Sequence, residues 1–432
     1  MAFYLHPMAL PDVSLVVLNY NGREHLETSL SSLSKQAYPA GKLDLIVCDN
    51  GSTDGSADYV RANFPKARVV ELDDNYGFAG GNNRAAKAAQ CEWVGFVNND
   101  LRFPEDWLAN LVAGLEQRPD AACLSSRITS WDGSRIDFVG GGVNVFGHGF
   151  QVDYGKARSK HDRPRQLLYP CGGAMLVRRQ AFEEVGGWDE DFFGFFEDVD
   201  LGWRMTLRGH ETWYTPAASV FHRLHSTYDR MRAYRVQVLY QRNALHVIFK
   251  CLEDANLAAA LPAALYLLNE RALTMAGVNR SDYRIEGRRP ESNAVAATPA
   301  AAAQARGLAS RAARVLREGG PRELAVRSGR YLRKRIGAPR LQEIPADHTL
   351  VPNMALSQYV GLSDFAHNLE RMLEKRREIQ ATRLVSDADL IPLMVDPTWP
   401  NYQEPSYLRF HEWLVKVLGL EERFAVPQGA PN

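Results

Sequence analysis

The chain has 432 residues, 45% hydrophobic and 24% charged, enough for one large or two ordinary globular domains. Its 51 basic residues balance its 51 acidic ones, so no global field argues for a nucleic-acid partner. Five cysteines, at 48, 91, 123, 171 and 251, are odd in number and include no CxxC pair, which disfavours a disulfide framework and a thiolate zinc site and fits a reducing compartment.

The first residues, from Met1 to Pro7, lack a basic region before a long apolar run, so no signal peptide is expected. From Val13 onward, short apolar runs alternate with segments of helical period. Strands are predicted at Val13 to Leu18, Leu43 to Cys48, Arg68 to Leu72 and Trp93 to Val97, with helices over 23–36, 55–63 and 80–90. This α/β alternation predicts a mostly parallel sheet flanked by helices. Beyond it come a helix at 104–117, a strand near Ala121 to Ser126 and a Gly-rich, aromatic stretch at 138–155. A strand at Gly172 to Val177, a helix at Phe195 to Arg208 and two short strands, Glu211 to Tyr214 and Ser219 to Phe221, follow. The catalytic domain is expected over 12–250 and a mainly helical region over 251–432. Its longest apolar stretch, Leu257 to Leu268, is broken by Pro262 and is about half of the ~20 residues a membrane span needs. Residues 293–304 read as an Ala-rich linker, and 306–340 hold eleven Arg or Lys against two Glu. Apolar residues at 362, 365, 366, 369 and 372 form a helical stripe suited to a core or a partner helix, with self-association left open.

In open α/β sheets ligands collect outside the carboxyl ends of the strands. Here those ends are Asn19 to Gly22, Asp49 to Asp54, Asp73 to Asn75 and Asn98 to Asp100, all rich in Asp and Asn. The turn from Asp49 through Asn50 and Ser52 to Asp54 can hold a base and ribose, or be an ordinary turn capping the next helix. Asn75, Gly77, Asn82 and Asn83 lie in a Gly-rich run opening a helix, which lets an anion approach its free N–H groups; a plain flexible turn is the alternative. The first strand is followed by Asn19-Tyr20-Asn21-Gly22 rather than GxGxxG, against a dehydrogenase. Asp100 can bind a hard cation shared with phosphate oxygens, or simply cap a turn. Glu197, Asp198 and Asp200 start a helix, where the macrodipole favours acids in any case.

Together Val16 to Gly22, Cys48 to Ser56, Asn75 to Asn83, Asn98 to Asp100, Gly172 to Arg179 and Phe196 to Arg204 resemble family 2 glycosyltransferases of the GT-A fold, closest to the bacterial rhamnosyltransferase-like enzymes. The resemblance spans roughly residues 12 to 250 in the family's order. It implies that Asn19, Asn21, Asp49, Asn50 and Ser52 hold the nucleotide, and that Asn75, Gly77, Asn82, Asn83, Asn98 and Asn99 line the donor pocket. Asp100 matches the last acid of the family's metal motif, while Asn98 stands where its first acid often does. Asp198 corresponds to the catalytic base and His222 to a metal-ligating His, while His225, three residues on, could do the same work or contact the diphosphate.

The implied activity is inverting transfer, dependent on Mn²⁺ or Mg²⁺, from a nucleoside-diphosphate sugar, with dTDP-rhamnose as first candidate. The acceptor would be a bacterial surface glycan or lipid-linked saccharide. Gly173 and Trp188 would serve the acceptor side, Trp188 as a sugar platform or as a core residue, and Glu197 or Asp200 would support the base. The basic segment 306–340 could meet an anionic membrane, so a cytoplasmic location or one peripheral at the inner face of the cell membrane is expected, or it is a solvated helical face. Two rivals stand beside this: a non-catalytic nucleotide-sugar or glycan-binding module, and a nucleotidyltransferase, which would need a basic Gly-rich loop after the first strand.

Overall fold

A computed structural model of the chain describes residues 10–39, 41–157, 161–223, 232–279, 283 and 351–427. One compact unit comprises Met1–Gly277 with Pro352–Asn432; the second, Val278–Val351, lies almost wholly outside the described residues, as do the expected linker at 293–304, the basic segment at 306–340 and His225.

The first strands form because apolar residues alternate between two buried faces. Val13, Leu15 and Val17 join one buried cluster and Val16 the other, on the opposite side of the sheet. The chain runs β1 (Val13–Asn19), α1 (Arg23–Leu33), β2 (Leu43–Asn50), α2 (Ser56–Asn63), β3 (Arg68–Leu72), α3 (Gly77–Ala86), β4 (Trp93–Asn98), β5 (Leu101–Arg102) and α4 (Trp107–Gln117). There follow β6 (Cys123–Ser130), β7 (Ile136–Phe138), β8 (Gly141–Val143), β9 (Gly149–Gln151), β10 (Arg165–Leu167), β11 (Ala174–Arg178), α5 (Arg179–Glu184), α6 (Glu197–Leu207) and β12 (Thr212–His222). The last stretch is helical: α7 (Ala233–Cys251), α8 (Asp254–Met275), α9 (Asn353–His367), α10 (Leu369–Thr382), α11 (Asp387–Leu390), α12 (Pro405–Val417) and α13 (Leu420–Arg423).

The main sheet has the order β10-β12-β6-β11-β4-β1-β2-β3. β4, β1, β2 and β3 are parallel, and β11 runs antiparallel between β4 and β6. The expected mostly parallel, helix-flanked sheet is present, with a helical C-terminal region behind it. Two differences from the sequence reading have local causes. The two short strands expected at 211–214 and 219–221 are one strand, β12, whose pairing with β6 shifts register between Thr215 and Ser219, a bulge that absorbs Pro216. The Gly-rich stretch at 138–155, to which the sequence pattern assigns no element, contributes β8 and β9, paired with each other.

Reversal of β11 is what brings two strand ends together. Ala174, its first residue, pairs with Val97 at the carboxyl end of β4, so Gly172 and Gly173 arrive where Asn98, Asn99 and Asp100 emerge. α7 to α13 cover one face and share its core: Val247, Ile248, Leu268, Met372, Tyr407 and Phe424 belong to the same buried cluster as Leu15 and Trp203. Among the described residues no helix is long and apolar enough to cross a membrane.

Candidate active site

Register brings the predicted donor residues together. Asn19 pairs with Asp49 at the ends of β1 and β2, and Leu18 with Asn98 of β4. Asn19 Nδ2 donates to Asp49 Oδ1 at 3.2 Å and lies 3.3 Å from Ser52 Oγ, while Asn19 Oδ1 accepts from Asn99 Nδ2 at 2.7 Å. Asn21, in the left-handed region at φ 48°, receives the Thr53 amide on Oδ1 at 2.7 Å and donates its own N–H to Ser52 Oγ at 2.9 Å. A Cβ on Gly22 would lie 2.2 Å from Asn99 Nδ2 and would push that side-chain amide aside. Asp54 accepts the Arg23 and Ser56 amides at 3.0 and 3.1 Å, so the capping role of this turn is also filled.

A second set builds the floor beside α3. Asn50 Nδ2 donates to Asn75 Oδ1 and to Gly77 O, both at 3.0 Å, and Asn50 Oδ1 accepts the Tyr76 amide at 3.1 Å. Gly77 has φ 70°, and a Cβ there would meet Phe193 O at 2.4 Å. Asn82 is turned inward with neither amide atom hydrogen-bonded. Asn83 binds the backbone of Trp188 from both ends of its amide, at 2.8 and 3.0 Å, and Glu190 Oε1 at 3.1 Å.

Asp100 follows β4, and His222 ends β12, which pairs with β5 through His222 opposite Leu101. His222 Nε2 lies 3.3 Å from Asp100 Oδ2, and Nδ1 lies 2.5 Å from Asp137 Oδ2 on β7. Burial opposes a charged ring, but the carboxylates of Asp100 and Asp137 outweigh it and raise His222 to about 10. Sequence reasoning missed Asp137. It sits on a three-residue strand 85 positions from its partner, with no motif to flag it. Among the described residues no group of three or more His, Cys, Asp or Glu stands ready to hold a metal.

Asp198 starts α6. Its Oδ2 accepts the Gly172 amide at 3.4 Å and its Oδ1 the Val199 amide at 2.8 Å. Gly173 O accepts the Asn98 amide at 2.9 Å, and a Cβ on Gly173 would come 3.1 Å from Asn98 Nδ2. Asn98, Gly173, Gly172 and Asp198 therefore form one connected edge. Burial pushes Asp198 up to about 6, and burial together with the Asp198 charge pushes Glu197 up to about 8. Asp200 is turned away and fully buried, paired with Arg204 at 2.7 Å and Lys250 at 2.6 Å. Trp188 is 1% exposed, packed on Phe78, Phe96 and Phe182, so it is a core residue and offers no ring face to a sugar.

Residues 14–186 match the model of the family Glycosyl transferase family 2. The N-acetylglucosaminyl-diphospho-decaprenol L-rhamnosyltransferase of Mycobacterium tuberculosis is 30% identical over 237 residues, which cover 49% of this chain and 76% of that protein. The O-antigen biosynthesis protein RfbC of Myxococcus xanthus is 29% identical over 209 residues, 46% of this chain and 16% of that protein. Among solved structures, GalNAc-T7 with UDP, GalNAc and Mn²⁺ aligns with 60% of this chain and 52% of its own at 16% identity and a TM-score of 0.48. The chain belongs to glycosyl transferase family 2, and is a glycosyltransferase.

Proposed function

We propose that the chain transfers a sugar with inversion from a nucleoside-diphosphate donor, dTDP-rhamnose first among candidates, to a hydroxyl of a bacterial surface glycan or lipid-linked acceptor. The rhamnosyl group and the lipid-linked acceptor follow the name of the M. tuberculosis relative, and the dTDP carrier follows the family resemblance of the sequence motifs. The reaction rests on one observation: Asp198 is joined through Gly172 and Gly173 to the strand end that carries Asn98 and Asp100.

Asp198 takes the proton of the acceptor hydroxyl as that oxygen attacks the anomeric carbon. The new carbon–oxygen bond forms while the bond to the diphosphate oxygen breaks, and the nucleoside diphosphate leaves from the opposite face. One displacement inverts the configuration. Glu197, held neutral by burial, adds no second charge beside the base. Asn83 fixes the start of the base segment to the donor helix α3.

Asp100 and His222 would hold a divalent cation, Mn²⁺ or Mg²⁺, through a carboxylate oxygen and a ring nitrogen that face each other, once the ring gives up the proton that the two carboxylates favour; Asp137 hydrogen-bonds the second ring nitrogen. When bound, such an ion supplies positive charge against the diphosphate. Residues 306–340 would hold the enzyme near an anionic membrane, where a lipid-linked acceptor resides.

The test is a screen of UDP, dTDP and GDP sugars, each with Mn²⁺ and Mg²⁺, for thermal protection and donor consumption. Protection and consumption with dTDP-rhamnose are expected. Protection without consumption of any donor would favour the binding-module reading, and neither response to any donor would sink both.

A further inference from the structure

The segment between the buried Trp188 and the start of α6 contains three of the seven non-glycine residues with positive φ among the described residues. Phe193, Phe195 and Phe196 have φ of 61°, 67° and 64°, a region that bulky side chains avoid. Phe193, at ψ −51°, is the centre of a γ-turn of the strained, positive-φ hand, closed by the Gly194 amide on Phe192 O at 2.7 Å. Phe196 is the residue immediately before α6. Backbone in this state persists only where surrounding groups hold it, and it gathers at functional sites.

Here most of the side-chain hydrogen bonds to the turn come from one residue. Asn243 on α7 is fully buried, and its Nδ2 lies 3.1 Å from Phe192 O, 2.9 Å from Gly194 O and 2.7 Å from Phe195 O. Two N–H bonds thus serve three carbonyl oxygens that the turn gathers on one side. The amide cannot be reversed: Arg242 Nε donates to Asn243 Oδ1 at 3.0 Å, which fixes Nδ2 toward the turn, and Arg242 Nη2 adds a bond to Phe192 O at 3.0 Å. Tyr240, one helical step away on the same face, packs its ring 5.0 Å from those of both Phe195 and Phe196. The other side of the turn reaches the donor floor, where Phe193 O accepts the Phe78 amide at 2.6 Å and Phe193 lies against Gly77.

We propose that Asn243 is a positioning residue for the base: it locks the Phe193–Phe196 turn, and the turn in turn sets where Asp198 stands relative to the donor floor at Gly77 and Phe78. This rests on the reading of Asp198 as base. Asn243 touches neither donor nor acceptor; it acts through three carbonyl groups and the first residues of α6.

The experiment compares wild type, Asn243→Ala, Asp198→Asn and the double variant, all assayed with dTDP-rhamnose and Mn²⁺ below the melting temperature of the least stable. Asn243→Ala should lower kcat by about tenfold to a hundredfold, the cost of a misplaced catalytic group, while dTDP affinity changes by less than about threefold. In the Asp198→Asn background the same substitution should have almost no further effect, since the group it positions is already gone. Limited chymotrypsin digestion gives a readout independent of turnover: cleavage after Phe193 or Phe195, with Phe193 already 41% exposed, should accelerate in Asn243→Ala and not in Asp198→Asn. Unchanged digestion in a folded Asn243→Ala, or equal kcat losses with and without Asp198, overturns the proposal. Full activity in Asp198→Asn would instead overturn the base assignment, and the digestion result would still decide whether Asn243 locks the turn.

Discussion

Asp198 is a carboxylate in a setting that disfavours its charge, and this sets the pH at which it can work. A base must be ionised, so with its value raised to about 6, kcat/KM should fall as pH drops through that value and level off above it. Asp198→Asn should remove this limb and lower kcat by about 10²- to 10⁴-fold while nucleotide binding persists; a retained limb would assign the base elsewhere. Asp137 makes a different prediction. A carboxylate on the far nitrogen of a metal-binding His fixes ring and tautomer, so Asp137→Asn should weaken Mn²⁺ binding by about 10- to 100-fold, measured by electron paramagnetic resonance with dTDP present. Residue identity made some of this legible and hid the rest. Asp100 and Asp198 stand in motifs at element ends, where chemistry is easy to suspect. Asp137 belongs to no motif, and its meaning comes from a partner on another strand. Trp188 reads equally well as platform or core, and only its neighbours Phe78, Phe96 and Phe182 decide.

At the level of elements, α7 does more than cover the sheet. Tyr240, Asn243, His246 and Lys250 recur at helical spacing, and all four face residues 189–200: Tyr240 the Phe195 and Phe196 rings, Asn243 the turn, His246 the Phe192 ring, Lys250 the carboxylates of Asp189 and Asp200. Lys250 has no exposed surface, and removing it strands two buried acids, though Arg204 and Lys375 remain beside them. Lys250→Met should therefore cost about 3 kcal/mol, the low end for breaking a buried pair, and Asp200→Asn should restore part of it; chemical denaturation checks both. From sequence α7 reads as part of an apolar, helical stretch over 232–278. Its contacts were not legible, since a helix opposite a run of phenylalanines gives no hint that the run is folded into left-handed turns. β12 shows the complementary failure: residues 211–214 and 219–221 read as two strands, whereas a bulge carries one strand past Pro216.

For the whole molecule, the hydrophobic core does not stop where the sheet does. Phe365, Met372, Met394, Tyr407 and Phe424 are buried in the cluster that also holds the strands, and backbone and ring contacts add to it, with Val145 N donating to Pro397 O at 2.8 Å and Phe150 stacked on Trp399 at 4.5 Å. Deleting residues 352–432 should thus yield a chain without cooperative unfolding rather than a smaller active enzyme. Thermal denaturation followed by near-ultraviolet circular dichroism would show this as loss of the transition. The parallel half of the sheet was readable from period and strand-end composition. The helical cover was readable as helix, but not as part of the same core, because an apolar stripe does not name what it packs on.

The γ-turn at Phe193 also bears on how such enzymes can be recombined. The stretch that matches the family model ends at residue 186, before the turn, and the side chain that locks the turn lies on α7, more than fifty residues later. A chimera that borrowed only the matched stretch would keep its nucleotide floor yet inherit a foreign fit between Gly77 and the turn. Grafts that carry the donor half and everything through Cys251 as one cassette keep that fit intact, which makes the end of α7, and not the end of the recognisable motifs, the natural seam for exchanging donor specificity.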